Sequence, residues 1–135
     1  MNMAMNIIKR IVSPGTLGLD VIRLVVCAIL FTHGAHRLYT GEAGDLADAI
    51  RDKGFPLALV LAYAICLAET GGTVLLAARI LVVPICLILS FIYIMGIILF
   101  QAHHGFFVLG AGTGGWEYPL LIITCLLATA WENRR

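Results

Sequence analysis

Residues 80–102 decide the fold, and they read ILVVPICLILSFIYIMGIILFQA. No charged side chain interrupts this run. A helix needs about 20 predominantly apolar residues to cross a bilayer core about 30 Å thick, and this run is long enough. The sequence therefore predicts a helix that spans a membrane.

The composition extends that prediction to the whole chain. Of the 135 residues, 61% are hydrophobic and 13% are charged, whereas soluble domains average roughly 45–50% apolar and about 25% charged residues. The net charge of +1 and the lack of a basic stripe argue against nucleic acid as a partner. No linker or internal repeat divides the sequence, so residues 1–135 are expected to form a single domain.

Three further apolar stretches complete the expected bundle. The predicted spans are residues 17–38, 56–78, 80–102 and 116–131. The last of these could cover only about 24 Å as a helix, so the bilayer must thin there or the helix must extend. Trp116, Tyr118 and Trp131 lie at its two ends, where amphipathic rings favour the lipid headgroups. The expected fold is all-α, an integral membrane bundle of four transmembrane helices.

Lysine and arginine in the connecting segments predict the orientation of the bundle. One side would carry Lys9, Arg10, Arg79, Arg134 and Arg135. The other side has its basic residues in a single loop that is also rich in acidic ones. Both termini are therefore expected in the cytoplasm, with a bacterial-type inner membrane as the location. Residues 1–16 would form a cytoplasmic segment, in which residues 2–12 are either a surface amphipathic helix or a frayed tail.

Of the ionisable residues in the predicted spans, Asp20 and Arg23 lie in the cytoplasmic half of the first and Glu69 lies well inside the second. Such groups normally face the bundle interior and have partners. Arg23 lies about 9 Å along the first span, and Glu69 lies about 13 Å from the matching end of the second, at about 1.5 Å per residue. We predict a buried Arg23–Glu69 ion pair, with Asp20 competing for the same guanidinium. Such a pair could serve only to fix the helix register.

A second group of polar residues gathers near the opposite membrane face. It comprises His33, His36, Arg37, His103, His104, Trp116 and Glu117. Histidines beside a carboxylate suit proton transfer near neutral pH, and they could also hold a transition metal. Adjacent His103 and His104 point about 100° apart on a helix, so no metal site is assigned. The candidate ligand-binding residues are His33, Arg37, His103, Trp116 and Glu117.

Two other features of the sequence have structural interpretations. The glycine-rich segment 105–115 lacks the Gly-Lys-Ser/Thr element of a phosphate loop. It is expected to fold Phe106 and Phe107 back over the bundle. The four cysteines fall one in each span without CxxC spacing, so they are expected to pack as small apolar residues.

The order of these motifs resembles that of the DoxX family of small membrane proteins. The resemblance rests on Arg23, His33-Gly-Ala-His-Arg37, Ala68-Glu-Thr-Gly-Gly72, His103-His-Gly-Phe-Phe107 and Trp116-Glu-Tyr-Pro119. The family usually has lysine where this chain has Arg37, so the charge is kept and the geometry changed. The resemblance implies a four-helix fold and recurrent polar positions at Arg23, His33, Glu69, His103, Trp116 and Glu117. It also implies an association with quinone-linked oxidoreductases, such as thiosulfate:quinone oxidoreductase and terminal quinol oxidase complexes, or with oxidative-stress defence.

The leading hypothesis is a membrane subunit of a redox system that binds a quinone-like molecule among the helices. His33 and His103 would donate hydrogen bonds to the carbonyl oxygens, Glu117 would exchange protons, and Trp116 would cover the ring. The sequence carries no haem, NAD or flavin signature, so a partner protein would supply the electrons.

Two alternatives stay open, and the sequence does not establish that the chain is an enzyme. A structural or assembly subunit would use its buried charges only to fix helix packing. A small carrier or channel would need a homo-oligomer, because four short helices leave little room for a pore.

Overall fold

The computed structural model describes residues 2–12, 15–109 and 114–134, in which the regular secondary structure is helical and no strand occurs. The helices are α1 (Asn2–Ile11), α2 (Leu17–Thr40), α3 (Ala43–Asp52), α4 (Ala58–Ala77), α5 (Val82–His104) and α6 (Glu117–Glu132). In this part of the chain α2, α4 and α5 are long and apolar enough to cross a membrane. The protein is therefore an all-helical membrane protein, as predicted.

The fourth predicted span corresponds to α6, which has 16 residues. That is shorter than the roughly 20 residues that a crossing requires. Residues Ile122 and Leu126 of α6 are buried against α2 and α5, whereas Leu121 is 60% exposed. The four-span count and the orientation of the termini remain predictions.

Helix α3 was missed by the sequence prediction, which treated the charged segment after the first span as a loop. Its buried residues Ala43, Ala47 and Ile50 recur at helical spacing. Ala47 and Ile50 pack against Ala58 and Ala62 of α4. The apolar spacing was visible in the sequence, but the acidic and basic residues between these positions obscured it.

A tight turn joins α4 to α5 and makes the two helices antiparallel. Arg79 and Leu81 in this turn have positive φ angles of 58° and 52°. The turn ends where α5 begins at Val82, which places Pro84 in the first helical turn. A missing N–H costs little at that position. This turn also directs the Arg79 side chain toward α2.

The core lies where α2, α4, α5 and α6 meet. Its fully buried side chains include Leu30, Leu76, Leu89, Leu126 and Cys86. Cys27, Cys66 and Cys86 are buried and free, which agrees with their expected role as small apolar residues. On the outer surface of the same helices the side chains are also apolar, and this surface contacts lipid.

The N-terminal segment forms the helix rather than the frayed tail. Within α1, Ile7 and Ile8 are more than half exposed, and Lys9 is exposed as well. The end of this helix is held to the bundle, because the Arg23 side chain donates a hydrogen bond to the Ile11 carbonyl oxygen at 2.5 Å.

A candidate ligand-binding site around Glu69

Two segments of wider π-helix interrupt the described long helices, at Ala68–Gly72 in α4 and at Ile97–Gln101 in α5. Single-turn π segments are frequent at functional sites. In α4 the side chains of Thr70 and Thr73 donate hydrogen bonds to the Cys66 and Glu69 carbonyl oxygens, at 2.8 and 2.6 Å. These hydroxyls satisfy backbone acceptors in the wide turn that presents Glu69 to the bundle.

The Glu69 carboxylate is 2% exposed and has a partner on each oxygen. Arg37 of α2 donates from Nη1 to Glu69 Oε2 at 2.6 Å. The Tyr93 hydroxyl of α5 donates to Glu69 Oε1 at 3.0 Å. We call these three residues the Glu69 cluster. Arg37 neutralises the buried negative charge, and the two hydrogen bonds offset its loss of hydration.

Gly34 explains how α2 comes close enough to α4 for this contact. A Cβ atom at Gly34 would lie 2.8 Å from Glu69 Cβ and 2.9 Å from the Cys66 carbonyl oxygen. No larger residue fits at that distance without a shift of one helix. Because Arg37 follows Gly34 by about one turn on the same face, its guanidinium reaches the Glu69 carboxylate.

A cavity of about 630 Å³ lies beside the Glu69 cluster. Small-molecule sites commonly span roughly 300–1,000 Å³ and combine apolar walls with a few polar groups. Here the three cluster residues contribute to the wall together with His33 and Gln101. Apolar wall residues come from α3, α4, α5 and α6, and they include Leu46, Ile50, Leu61, Ile65, Ile92 and Phe100. The arrangement can bind an apolar molecule whose polar end reaches a carboxylate, a guanidinium and a hydroxyl.

A second polar group, the Arg23 cluster of Arg23, Asp20 and Arg79, lies at the other end of α2. Arg23 Nη1 donates to the carbonyl oxygens of Leu76 and Ala77 at 2.8 and 2.7 Å. Its Nη2 atom lies 3.2 Å from Asp20 Oδ1, and Arg79 also binds that oxygen. The last carbonyl groups of a helix have no partner within the helix, so a cation at the C-terminal end of α4 can donate hydrogen bonds to them.

The predicted Arg23–Glu69 pair is therefore wrong, although all three residues named for it are buried and paired. Arg23 lies level with Leu76 at the end of α4. Glu69 precedes Leu76 by two helical turns, or about 10 Å. The depth calculation counted residues from assumed span ends, and the register of α4 against α2 differs from that assumption.

The comparison with known families supports the motif order seen in the sequence. The sequence profile of the DoxX family matches residues 18–104. The chain belongs to the DoxX family. The match covers α2 to α5, and so it includes the whole Glu69 cluster. No curated protein and no solved structure matched this DoxX protein.

The ligand-binding candidates predicted from the sequence separate into two groups in the DoxX structure. His33 and Arg37 line the cavity beside Glu69. His103 is exposed at the end of α5 and does not line it. Within the described part of this DoxX chain, no group of three or more His, Cys, Asp or Glu side chains could hold a metal ion.

Trp116 and Glu117 instead hold the start of α6 to the preceding loop. Phe106 packs edge-on against Trp116, with ring centroids 4.8 Å apart. Glu117 Oε1 accepts a hydrogen bond from the Val108 backbone N–H at 2.9 Å. Residues 105–115 were predicted to fold back over the bundle, and residues 110–113 of this segment lie outside the described residues. In the described parts of this segment the chain folds onto the start of α6.

Tyr93 is the site residue that the sequence prediction missed. It stands within the apolar run 80–102, where a hydroxyl group requires a hydrogen-bond partner. Together with Glu69 in the neighbouring span, that requirement was the available signal. Between the Glu69 and Arg23 clusters of this DoxX protein, the core is filled by apolar side chains such as Leu30 and Leu89.

Proposed function

We propose that this DoxX protein is the membrane subunit of a quinone-linked oxidoreductase or oxidative-stress system in a bacterial-type inner membrane. It binds a quinone-like molecule in the cavity beside Glu69. The observation that carries the proposal is a buried carboxylate, paired with Arg37 and Tyr93, on the wall of a mainly apolar cavity. Quinones are flat apolar rings with two carbonyl oxygens, and they match both features of this site.

The chemistry assigned to the site is hydrogen bonding and proton exchange. The Arg37 guanidinium has further N–H donors that suit a quinone carbonyl oxygen, the Tyr93 hydroxyl holds the Glu69 carboxylate in position, and Glu69 exchanges the proton that accompanies reduction of the quinone. These residues take the roles that the sequence prediction gave to His103 and Glu117. His33 lies at the cavity wall and keeps its predicted role. Electrons reach the ring from a partner protein, because the sequence has no haem, NAD or flavin signature.

The alternative function is a structural or assembly subunit without a ligand. The Arg23 cluster favours it, because Arg23 is bound by backbone carbonyl oxygens and links α1, α2 and α4. That cluster accounts for helix packing but does not account for a cavity of about 630 Å³. The apolar layer at Leu30 and Leu89 also argues against a continuous polar path for a carrier.

The test is to extract the protein in mild detergent and identify copurifying small molecules by mass spectrometry. Tyr93→Phe removes the hydroxyl group and keeps the ring, so we expect it to lose bound quinone while it remains folded. Tyr63→Phe is the matched control, because Tyr63 is 47% exposed and does not line the cavity. No quinone in the wild-type protein, or equal quinone in wild type and Tyr93→Phe, would contradict the proposal.

A further inference from the structure

The cavity wall includes side chains that also face outward from the bundle. Leu61 of α4 is 39% exposed, and Ile88 and Phe91 of α5 are 53% and 63% exposed. A side chain that contacts both the cavity and the outer surface lies at the cavity's rim. Because α4 and α5 are candidate membrane spans, the surface outside this rim is hydrocarbon rather than water.

Helix packing leaves this side of the cavity uncovered. The first half of α4 packs on α3 and α2, whereas α5 packs chiefly on α6. The two helices contact each other along the second half of α4, from Ala68 to Ala77, where Tyr93 of α5 is hydrogen-bonded to Glu69. Leu61 of α4 and Phe91 of α5 both line the cavity, and both are exposed on the outer surface.

Apolar contacts between α3 and α5 lie at one end of the cavity. Phe100 of α5 packs against the cluster that includes Ala47 and Ile50 of α3. Lys53 lies over the same ring, with its Nζ atom 5.8 Å from the ring centroid. Leu46 and Ile50 line the cavity from this side. These apolar contacts cover part of the cavity at the end of the bundle where α3 lies.

We infer that the cavity opens sideways into the bilayer between Leu61 and Phe91, and that its ligand is an amphiphile with a hydrocarbon tail. The polar head lies at the Glu69 cluster, and the tail leaves across the rim into lipid. A tail of this kind stays in hydrocarbon along its whole length, so binding exposes none of it to water. This inference rests on the proposed function, because it specifies the class of molecule that the same cavity takes.

Ala64 allows the rim to be closed without touching the polar cluster. It lines the cavity and is exposed, so Ala64→Trp adds a large ring at the rim. Ala28 of α2 is exposed and does not line the cavity, which makes Ala28→Trp the matched control. The probes are a benzoquinone with a two-isoprene tail and the same ring with a methyl group in place of the tail. Both are offered to protein in lipid nanodiscs, and bound probe is measured per protein chain after washing.

We expect Ala64→Trp to reduce retention of the tailed probe by about tenfold, as overpacking of a filled site does. Retention of the tail-less ring should fall by a smaller factor than retention of the tailed probe, and Ala28→Trp should change neither. Equal retention of the tailed probe by wild type and Ala64→Trp would overturn the lateral opening while leaving quinone binding intact. If the wild-type protein bound neither probe, the proposed function would fail as well.

A second measurement needs no substitution at the rim. A tailed probe with a photoreactive group at the end of its tail is bound to the wild-type protein and irradiated. The inference predicts labelled peptides that contain Leu61 or Phe91. Labels confined to α2 and α6 would overturn it, because the tail would then leave the cavity by another side.

Discussion

At the scale of single residues, the ion pair between Arg37 and Glu69 governs the stability of the site. Arg37→Ala leaves the carboxylate of Glu69 buried without its guanidinium, so we expect a loss of about 3–5 kcal/mol in unfolding free energy. Adding Glu69→Gln to Arg37→Ala should restore much of that loss, because the amide carries no charge. The measurement is a double-mutant cycle of unfolding in mixed micelles.

An exposed pair provides the control for this cycle. Arg51 and Asp48 form an ion pair on α3 whose side chains are 62% and 68% exposed. Exposed pairs contribute roughly 0–1 kcal/mol, so Arg51→Ala should have a small effect. If Arg37→Ala lowered the unfolding free energy as little as Arg51→Ala, the buried carboxylate would not depend on Arg37. The role assigned to the Arg37–Glu69 pair would then be wrong.

Gly34 makes a second residue-scale prediction. Gly34→Ala places a methyl group against Glu69 and the Cys66 carbonyl oxygen, so we expect about 1–3 kcal/mol of destabilisation and weaker quinone binding. Gly18→Ala on the same helix meets nothing within 4 Å. It should be neutral or stabilising by up to about 1 kcal/mol, since alanine is the better helix former. Equal unfolding free energies for the two variants would show that α2 and α4 do not pack closely at Gly34.

The polar residues were predictable one at a time, but their partners were not. Arg23, Asp20 and Glu69 are each 2% exposed, as their position in apolar spans implied. To predict that Glu69 pairs with Arg37 rather than with Arg23, one must know the register of α2 against α4. That register depends on the close approach at Gly34 and on the wide turn at Ala68–Gly72, and neither has a reliable signal in one sequence.

At the scale of helices, the wide turn Ile97–Gln101 shapes the cavity wall. A π-turn holds more residues per hydrogen-bonded ring than an α-turn, so removing one residue can restore an ordinary helix. Ile98 is 57% exposed, and its neighbours Leu99 and Phe100 line the cavity. We expect deletion of Ile98 to preserve folding and reduce quinone retention. Unfolding and retained quinone are measured on the same preparation.

Deletion of Ile94 is the control that tests whether a deletion in α5 is tolerated only within the wide turn. Ile94 lies in the regular part of α5, where losing one residue rotates everything after it by about 100°. That deletion should prevent stable folding. If deletion of Ile98 proved equally damaging, the wide turn would not act as a local insertion, and its assigned role would be wrong.

The long helices were predictable because an apolar run of the required length permits few other structures. The predicted span 17–38 corresponds to the helix Leu17–Thr40, and the predicted span 80–102 corresponds to the helix Val82–His104. Helix α3 was not predicted, because its charges dominated the local composition and its buried alanines are small. Where short helices pack by alanine, as Ala47 does near Ala58 and Ala62, the apolar pattern is weak.

At the scale of the whole molecule, the composition of α6 favours a fourth membrane crossing. Its charged residues Glu117 and Glu132 lie at its first and last positions. Between them the outward side chains Leu120, Leu121 and Leu127 are apolar, and so is the buried face. A helix that is apolar all round suits a membrane interior. Its length of about 24 Å is short of the bilayer core, and local thinning around the bundle can accommodate that difference.

We therefore predict four crossings with both termini in the cytoplasm, which reporter fusions can test. A periplasmic phosphatase should be inactive when fused to the C-terminus or after Arg79, and active when fused after Gly54. A fluorescent reporter that matures only in the cytoplasm should show the reverse. The Arg79 and Gly54 fusions verify the crossings of α2 and α4 independently of α6. If the C-terminal phosphatase were active while those two behaved as expected, α6 would lie along the membrane surface, and the bundle would have three spans.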